Sequence, residues 1–212
     1  MGLSPEGAIA QLIPDTTLGA ESSQVIPNAT VHGLPADLIQ GGALRGSNLF
    51  HSFQDFNVGA LQRVYFANPD SIANIFSRVT GGNPSNILGT LGVDGGANLF
   101  LLNPNGILFG PNARLDIAGS FFASTADRWV FENGLEFSAT NPEAPSPLLT
   151  VNVTPGLQYG TANQASISSQ GTLVTGGDLT LQAGHLELQG QLQAGGHLTL
   201  EALETLPAVG ER

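Results

Sequence analysis

The sequence predicts an all-β protein wound as a parallel β-helix. Three observations predict it: a 19-residue repeat near the C-terminus, period-two alternation within each repeat, and turn residues at every break. Residues 165–183 read ASISSQGTLVTGGDLTLQA and residues 184–202 read GHLELQGQLQAGGHLTLEA, with nine identities at an offset of 19. The identities fall mainly on glycines at the breaks and leucines between them, as in Gly176/Gly195, Gly177/Gly196, Leu179/Leu198 and Leu181/Leu200. Each unit holds three short pieces, such as Ser166-Ile167-Ser168, Thr172-Leu173-Val174 and Leu179-Thr180-Leu181. Alternation puts Leu179 and Leu181 on one face and Thr180 on the other, the pattern of a half-buried strand. Pieces this short cannot bury themselves alone. Stacking one turn of chain on the next lays leucine on leucine and pairs the backbones about 4.8 Å apart. The crossover rule makes a right-handed coil the default.

Upstream, the rhythm is looser. Asn98-Leu99-Phe100-Leu101, Gly106-Ile107-Leu108-Phe109 and Arg114-Leu115-Asp116-Ile117 are apolar pieces separated by Asn103-Pro104-Asn105-Gly106 and Gly110-Pro111-Asn112. Proline fixes φ, and Asn and Gly tolerate positive φ, so these breaks read as tight turns at the corners of the coil. Residues 141–147, NPEAPSP, are expected to form a loop or an excursion from the stack. Between 69 and 80 the pattern is ambiguous. Ile72, Ile75, Phe76 and Val79 fit an i, i+3, i+4, i+7 helix begun at Asn68-Pro69-Asp70-Ser71, but a strand over 74–80 fits equally. The first 30 residues show no repeat and are expected to cover the first coil, whose edge would otherwise be unpaired.

Composition narrows the function classes. Six arginines, no lysine and 17 acidic residues give a net charge of −11, which leaves no basic stripe for nucleic acid and disfavours anionic membrane surfaces. No apolar run approaches the roughly 18 residues of a spanning helix, so no membrane insertion is expected. Zero cysteines exclude disulfides, thiolate metal sites and cysteine nucleophiles together. The 28 glycines and 13 prolines, 41 residues of 212, fit a coil that turns three corners in each repeat.

Candidate chemistry is sparse. The 19-residue register stacks Asp178 near His197 and His185 near Glu204, which reads as a solvated face with mild charge pairing, since no third ligand converges. His32 and His51 have no partner in any recognised spacing. Gly95-Gly96-Ala97-Asn98-Leu99 lacks the Asp of the calcium-binding repeat and occurs once. No catalytic residue, cofactor or metal is therefore expected. For Asn98, Asn103 and Asn105, bonds to turn backbone are the expected role.

One family fits these residues. Asn103-Pro104-Asn105-Gly106-Ile107 resembles the NPNGI motif of the two-partner-secretion (TPS) domain, the haemagglutination activity domain at the N-terminus of filamentous-haemagglutinin-like exoproteins. Supporting it in order are Asn48-Leu49-Phe50-His51-Ser52-Phe53, Phe56-Asn57-Val58, Gly89-Thr90-Leu91 and Gly95-Gly96-Ala97-Asn98-Leu99. A second motif, NPNL, is half present: Asn68 and Pro69 match, while Asp70 and Ser71 depart. The style is similar to the cyanobacterial branch. The resemblance implies a right-handed parallel β-helix with an N-terminal β cap and small extra-helical β elements, and favours a strand over 70–80.

On this resemblance residues 1–212 form one domain. A cap occupies about 1–45, a motif-bearing core 46–140, an excursion 141–164 and regular coils 165–212, with further coils expected beyond. The implied role is recognition by the periplasmic POTRA domains of an Omp85/TpsB-type outer-membrane transporter, starting export of a secreted or cell-surface protein. The N-terminus shows no basic region before an apolar stretch, so either no signal peptide directs export or, as expected for a secreted chain, one has been removed ahead of Met1; a monomeric chain is expected. The residues it marks for partner recognition or motif turns are Asn103, Pro104, Asn105, Gly106, Ile107, Asn68 and Pro69. Two other readings compete: an adhesin segment binding glycans or cells, and a β-helical polysaccharide lyase or hydrolase. The last needs a carboxylate cluster that the scattered acids do not supply.

Overall fold

A computed structural model of the chain describes residues 11–132, 134–144, 156–158 and 165–203. The backbone winds through three stacks of parallel strands, visited in the same order in each turn. The first stack runs Asn48–Phe56, Asn74–Val79, Asn98–Leu102, Phe121–Ser124, Leu179–Ala183 and Leu198–Ala202. The second runs Ser85–Ile87, Ile107–Phe109, Ser166–Ser169 and His185–Leu188, with a bridge from Val58 to Ile87 ahead of it. The third runs Arg63–Ala67, Thr90–Asp94, Arg114–Asp116, Thr172–Thr175 and Gln191–Ala194. This is a parallel β-helix.

The 19-residue repeat sets the register of the last coils: Ile167 pairs with Leu186, Leu173 with Leu192, and Leu179 with Leu198. Earlier coils are longer. Asn74 follows Asn48 by 26 residues and Asn98 follows Asn74 by 24. The inward residues of all three stacks form one continuous core, with Leu99, Leu101, Phe109, Phe121, Leu179 and Leu181 fully buried. In the final strand Leu198 and Leu200 are nearly half exposed, because no further coil covers them among the described residues.

Antiparallel elements close the N-terminal end. Leu12–Pro14 and Ala43–Arg45 both pair with Asn48–Phe56, covering the first edge of one stack. The hairpin Ser23–Val31/Leu34–Gly41 lays its second strand parallel to Arg63–Ala67 and so covers another. Between Leu34–Gly41 and Ala43–Arg45 the chain passes Gly42 at φ +88°, where a Cβ would lie 2.6 Å from the Phe50 carbonyl oxygen. Only glycine fits that approach.

Residues 74–79 form a strand and not a helix. Ile75 and Val79 enter the coil core, while Phe76 enters a second core on the outer face. With both faces buried, the period-two signature vanishes and the apolar spacing imitates a helix. The second core is roofed by an excursion that leaves the stack after Ser124. Arg128–Val130 pairs antiparallel with both Glu136–Ser138 and Gly156–Gln158, so the excursion opens ahead of the proline-rich 141–147 segment. Residues 145–155, which include the end of that segment, lie outside the described residues. Beneath the roof Phe50, Phe76, Phe100 and Phe122 stack at successive centroid distances of 5.1, 4.4 and 4.5 Å. Trp129, Phe131 and Phe137 meet this ladder edge-on, the geometry favoured by ring quadrupoles.

Candidate functional site

The corner between the first and second stacks is made by Asn103-Pro104-Asn105-Gly106. Asn103 is fully buried and every polar group it has is used. Its Oδ1 accepts from the Asn105 main-chain N–H at 2.9 Å, and its Nδ2 donates to the Asn83 carbonyl and to Ser85 Oγ, both at 3.0 Å. Its own N–H donates to the Ser124 carbonyl, and its carbonyl accepts from Gly106 N–H at 3.1 Å. One side chain thus shapes its own turn and ties it to the coil before, while the main chain ties it to the coil after.

Pro104 needs no acceptor and stands half-exposed at the crest. Asn105 is exposed, but its Nδ2 donates to the Gly81 carbonyl at 2.8 Å, so the amide holds down the crest. Gly106 sits at φ +115°, and its carbonyl accepts from Ser85 N–H. Ile107 anchors the exit in the coil core, in register with Ser85 and Ile167.

Asn68 and Pro69 lie at a different corner, where the third stack returns to the first. Asn68 Oδ1 accepts from Ala97 N–H at 2.9 Å, and Nδ2 donates to the Ile72 carbonyl at 3.0 Å. Its turn is closed by Ile72 N–H on the Pro69 carbonyl, one residue later than in the 103–106 turn, with Ser71 at φ +72°. The altered residues Asp70 and Ser71 thus accompany a different turn. Asn98 serves a ladder: Asn74 Nδ2 donates to Asn48 Oδ1, Asn98 Nδ2 donates to Asn74 Oδ1, and Asn98 Oδ1 accepts from Ser120 N–H.

A cleft of about 270 Å³ opens beside the 103–106 corner. Three segments line it: Pro104 and Asn105 from the corner, Val79 to Gly82 from the preceding coil, and Ala139, Thr140 and Pro142 from the excursion. The excursion is fixed there by Arg78, whose guanidinium is completely buried. Nε donates to Ser52 Oγ at 2.9 Å, Nη1 to the Ser138 carbonyl at 2.9 Å and Nη2 to Thr17 Oγ1 at 2.8 Å. The same group lies 4.2 Å from the Phe137 ring centroid. Burial lowers the Arg78 pKa to about 10, opposed by the charge of Asp15, so it is a cation at neutral pH. Burial pushes Asp15 upward, but bonds from Thr80, Thr17 and Ser52 outweigh it and hold the carboxyl below its ordinary value.

Sequence reasoning missed Arg78. The signal available was an arginine inside the apolar run Ile75-Phe76-Ser77-Arg78-Val79, which demands buried acceptors. It also missed partners for two histidines. His51 is fully buried with Nδ1 3.0 Å from Ser23 Oγ and Nε2 unpartnered, and burial pushes its pKa down to about 3. His32, at the tip of the capping hairpin, lies between Asp94 at 3.3 Å and Asp116 at 3.4 Å. Asp178 and His197 meet as the register requires, at 3.4 Å and in solvent. Glu204, the expected neighbour of His185, lies outside the described residues. Among the described residues no group of three or more His, Asp or Glu could hold a metal ion.

The fold and the corner define a scaffold that presents turns held from beneath, with side-chain chemistry spent on architecture. The family model of the TPS secretion domain matches residues 10–210, and the chain belongs to that family. It is similar to the heme/hemopexin-binding protein of Haemophilus influenzae strain Rd, with 39% identity over 83 residues, 39% of this chain and 9% of that one. A second heme/hemopexin-binding protein of Haemophilus influenzae is 34% identical over 89 residues, 42% of this chain and 9% of its own length. The chain thus matches under a tenth of the length of these curated relatives. The crystal structure of the filamentous hemagglutinin secretion domain is 18% identical, with a TM-score of 0.36, covering 90% of this chain and 99% of that one. As a TPS secretion domain the chain is a secretion module of a two-partner exoprotein, and such exoproteins leave by way of the periplasm. TPS domains in general have a TpsB outer-membrane transporter as partner.

Proposed function

We propose that this domain is recognised, as a monomer, by the periplasmic POTRA domains of its Omp85/TpsB-type transporter, and that this contact starts export. The 103–106 corner is the part of the surface we assign to the contact. The observation that carries the reading is the division of labour within the motif. Asn103 is wholly consumed inside, while Pro104 and Asn105 are held rigidly outside. A turn fixed in this way presents its crest at low entropic cost on binding. Purified POTRA domains of the cognate transporter should bind the chain in solution, and deleting residues 1–130 should abolish export of a reporter fused behind it. Unchanged export together with absent binding would refute the reading.

A further inference from the structure

We infer that the cleft between the 103–106 corner and the excursion receives a basic, extended segment of the transporter's periplasmic region. This rests on the recognition reading above and names the place and the chemistry of the contact.

The cleft is preformed. The excursion side is fixed by Arg78 Nη1 on the Ser138 carbonyl, by Asn141 N–H on Ser138 Oγ at 3.0 Å, and by Ala139 N–H on the Asp127 carbonyl at 2.8 Å. The corner side is fixed by Asn105 on the Gly81 carbonyl. Residues about forty positions apart in the chain thus face one opening before any partner arrives, and little ordering remains to be done on binding.

At about 270 Å³ the cleft falls just below the roughly 300–1,000 Å³ typical of small-molecule sites. It suits side chains presented by a segment of protein. Gly82 lines it, and a Cβ built there meets nothing within 4 Å. Its main chain makes no hydrogen bond among the described residues, so it is open to an extended partner.

Beside the strip 138–142 lies a second hollow of about 300 Å³, lined in part by Glu143. Asp55 holds Asn83, next to Gly82. The cations nearby are spent: Arg128 pairs with Glu136 at 2.8 Å, and Arg78 is buried on three acceptors. The cleft itself is lined by uncharged side chains, so Glu143 and Asp55 at its margin, in a chain with no lysine and a net charge of −11, call for a basic occupant.

The test uses the chain and the purified periplasmic domains of its transporter, with affinity measured by calorimetry. Gly82→Arg and Thr140→Arg put a cation at exposed positions of the cleft and should each weaken binding by roughly tenfold or more. Thr140→Glu should bind at least as well as the parent chain, which separates charge from any damage to the fold. Val174→Arg, on an exposed part of another stack, should stay within about twofold. If the parent chain binds and the two arginine variants bind equally well, or if Thr140→Glu weakens binding as much as Thr140→Arg, the cleft is not the contact, although the recognition reading stands. If the parent chain does not bind at all, both fail.

Discussion

Arg78 Nη1 donates a 2.9 Å hydrogen bond to the main-chain carbonyl of Ser138, sixty residues further along the chain. With its bonds to Ser52 and Thr17, this makes one guanidinium the joint between the N-terminal cap, the first two coils and the excursion. Truncating it leaves three acceptors unanswered, two of them, on Ser52 and Ser138, buried. Arg78→Ala should therefore destabilise the domain by about 3–5 kcal/mol, the usual loss when one side of a buried charged network is removed. Denaturant unfolding measures the loss. Limited proteolysis should find the excursion cut faster, because its fixing bond is gone. Arg78→Lys should recover little, since one ammonium cannot reproduce the planar fork that meets all three acceptors.

Asp15 completes that network without touching the guanidinium directly. Its Oδ2 accepts from Ser52 Oγ and Thr80 Oγ1, and its Oδ1 accepts from Thr17. Its folded pKa is depressed, so its contribution is present above the ordinary carboxyl value of 3.8 and is lost as pH falls below that through the folded pKa. Asp15→Asn should lower stability at pH 7 and flatten the stability curve in that acid window. Equal slopes for parent and variant below pH 3.8 would contradict the assignment.

His51 acts higher on the pH scale. It is buried neutral, with a folded pKa lowered to about 3 from 6.5, so the unfolded chain binds a proton that the folded chain refuses. Stability should fall as pH drops from 6.5 towards 3, at up to about 1.4 kcal/mol per pH unit from this group. His51→Gln cannot titrate. It should be less stable at pH 7, having lost the ring contacts with Phe66 and Phe53, yet flatter between pH 6.5 and 4.5. Unfolding midpoints at three pH values decide it, and parallel curves would reject the idea.

The sequence showed what repeats locally and hid what is closed from a distance. Leu179/Leu198 and Gly176/Gly195 announced the coil because strands nineteen residues apart lie directly over one another. Residues 74–79 were obscured because Phe76 and Val79 face opposite cores, which erases alternation. The partners of Arg78 come from positions 17, 52 and 138, so no local spacing could reveal them. The excursion strands are three residues each, too short to carry a pattern. At the candidate site, the turn was legible from Pro104 and Gly106, but the cleft beside it was not, since one side of it comes from Ala139–Pro142.

The outer aromatic ladder should be as important to stability as the coil interior. Phe76 lies between Phe50 and Phe100 and meets Trp129 and Phe131 edge-on at 6.2 and 5.5 Å. Phe76→Ala empties the middle of the second core and should cost about 3–5 kcal/mol, with the roof loosened over its neighbours. Phe122, at the partly buried end of the ladder, should cost less when replaced by Leu. Urea unfolding of the two variants orders them, and a smaller loss for Phe76→Ala would show that the excursion does not seal the ladder.

The two asparagines of the corner should separate structure from recognition. Asn103→Asp keeps the shape but turns Nδ2, which donates to the Asn83 carbonyl and Ser85 Oγ, into an oxygen facing an acceptor in a buried site. An unpaired buried carboxylate and an orphaned carbonyl together should cost on the order of 3 kcal/mol, with export lost as a consequence of the fold. Asn105 is exposed, and its truncation gives up two Nδ2 bonds, to the Gly81 carbonyl and to Asn103 Oδ1. Asn105→Ala should therefore cost only about 1 kcal/mol in unfolding. If the crest is where the transporter docks, that small structural loss should still be accompanied by a clear fall in affinity for the POTRA domains. Affinity that tracks stability across both variants would instead make the whole motif a matter of folding.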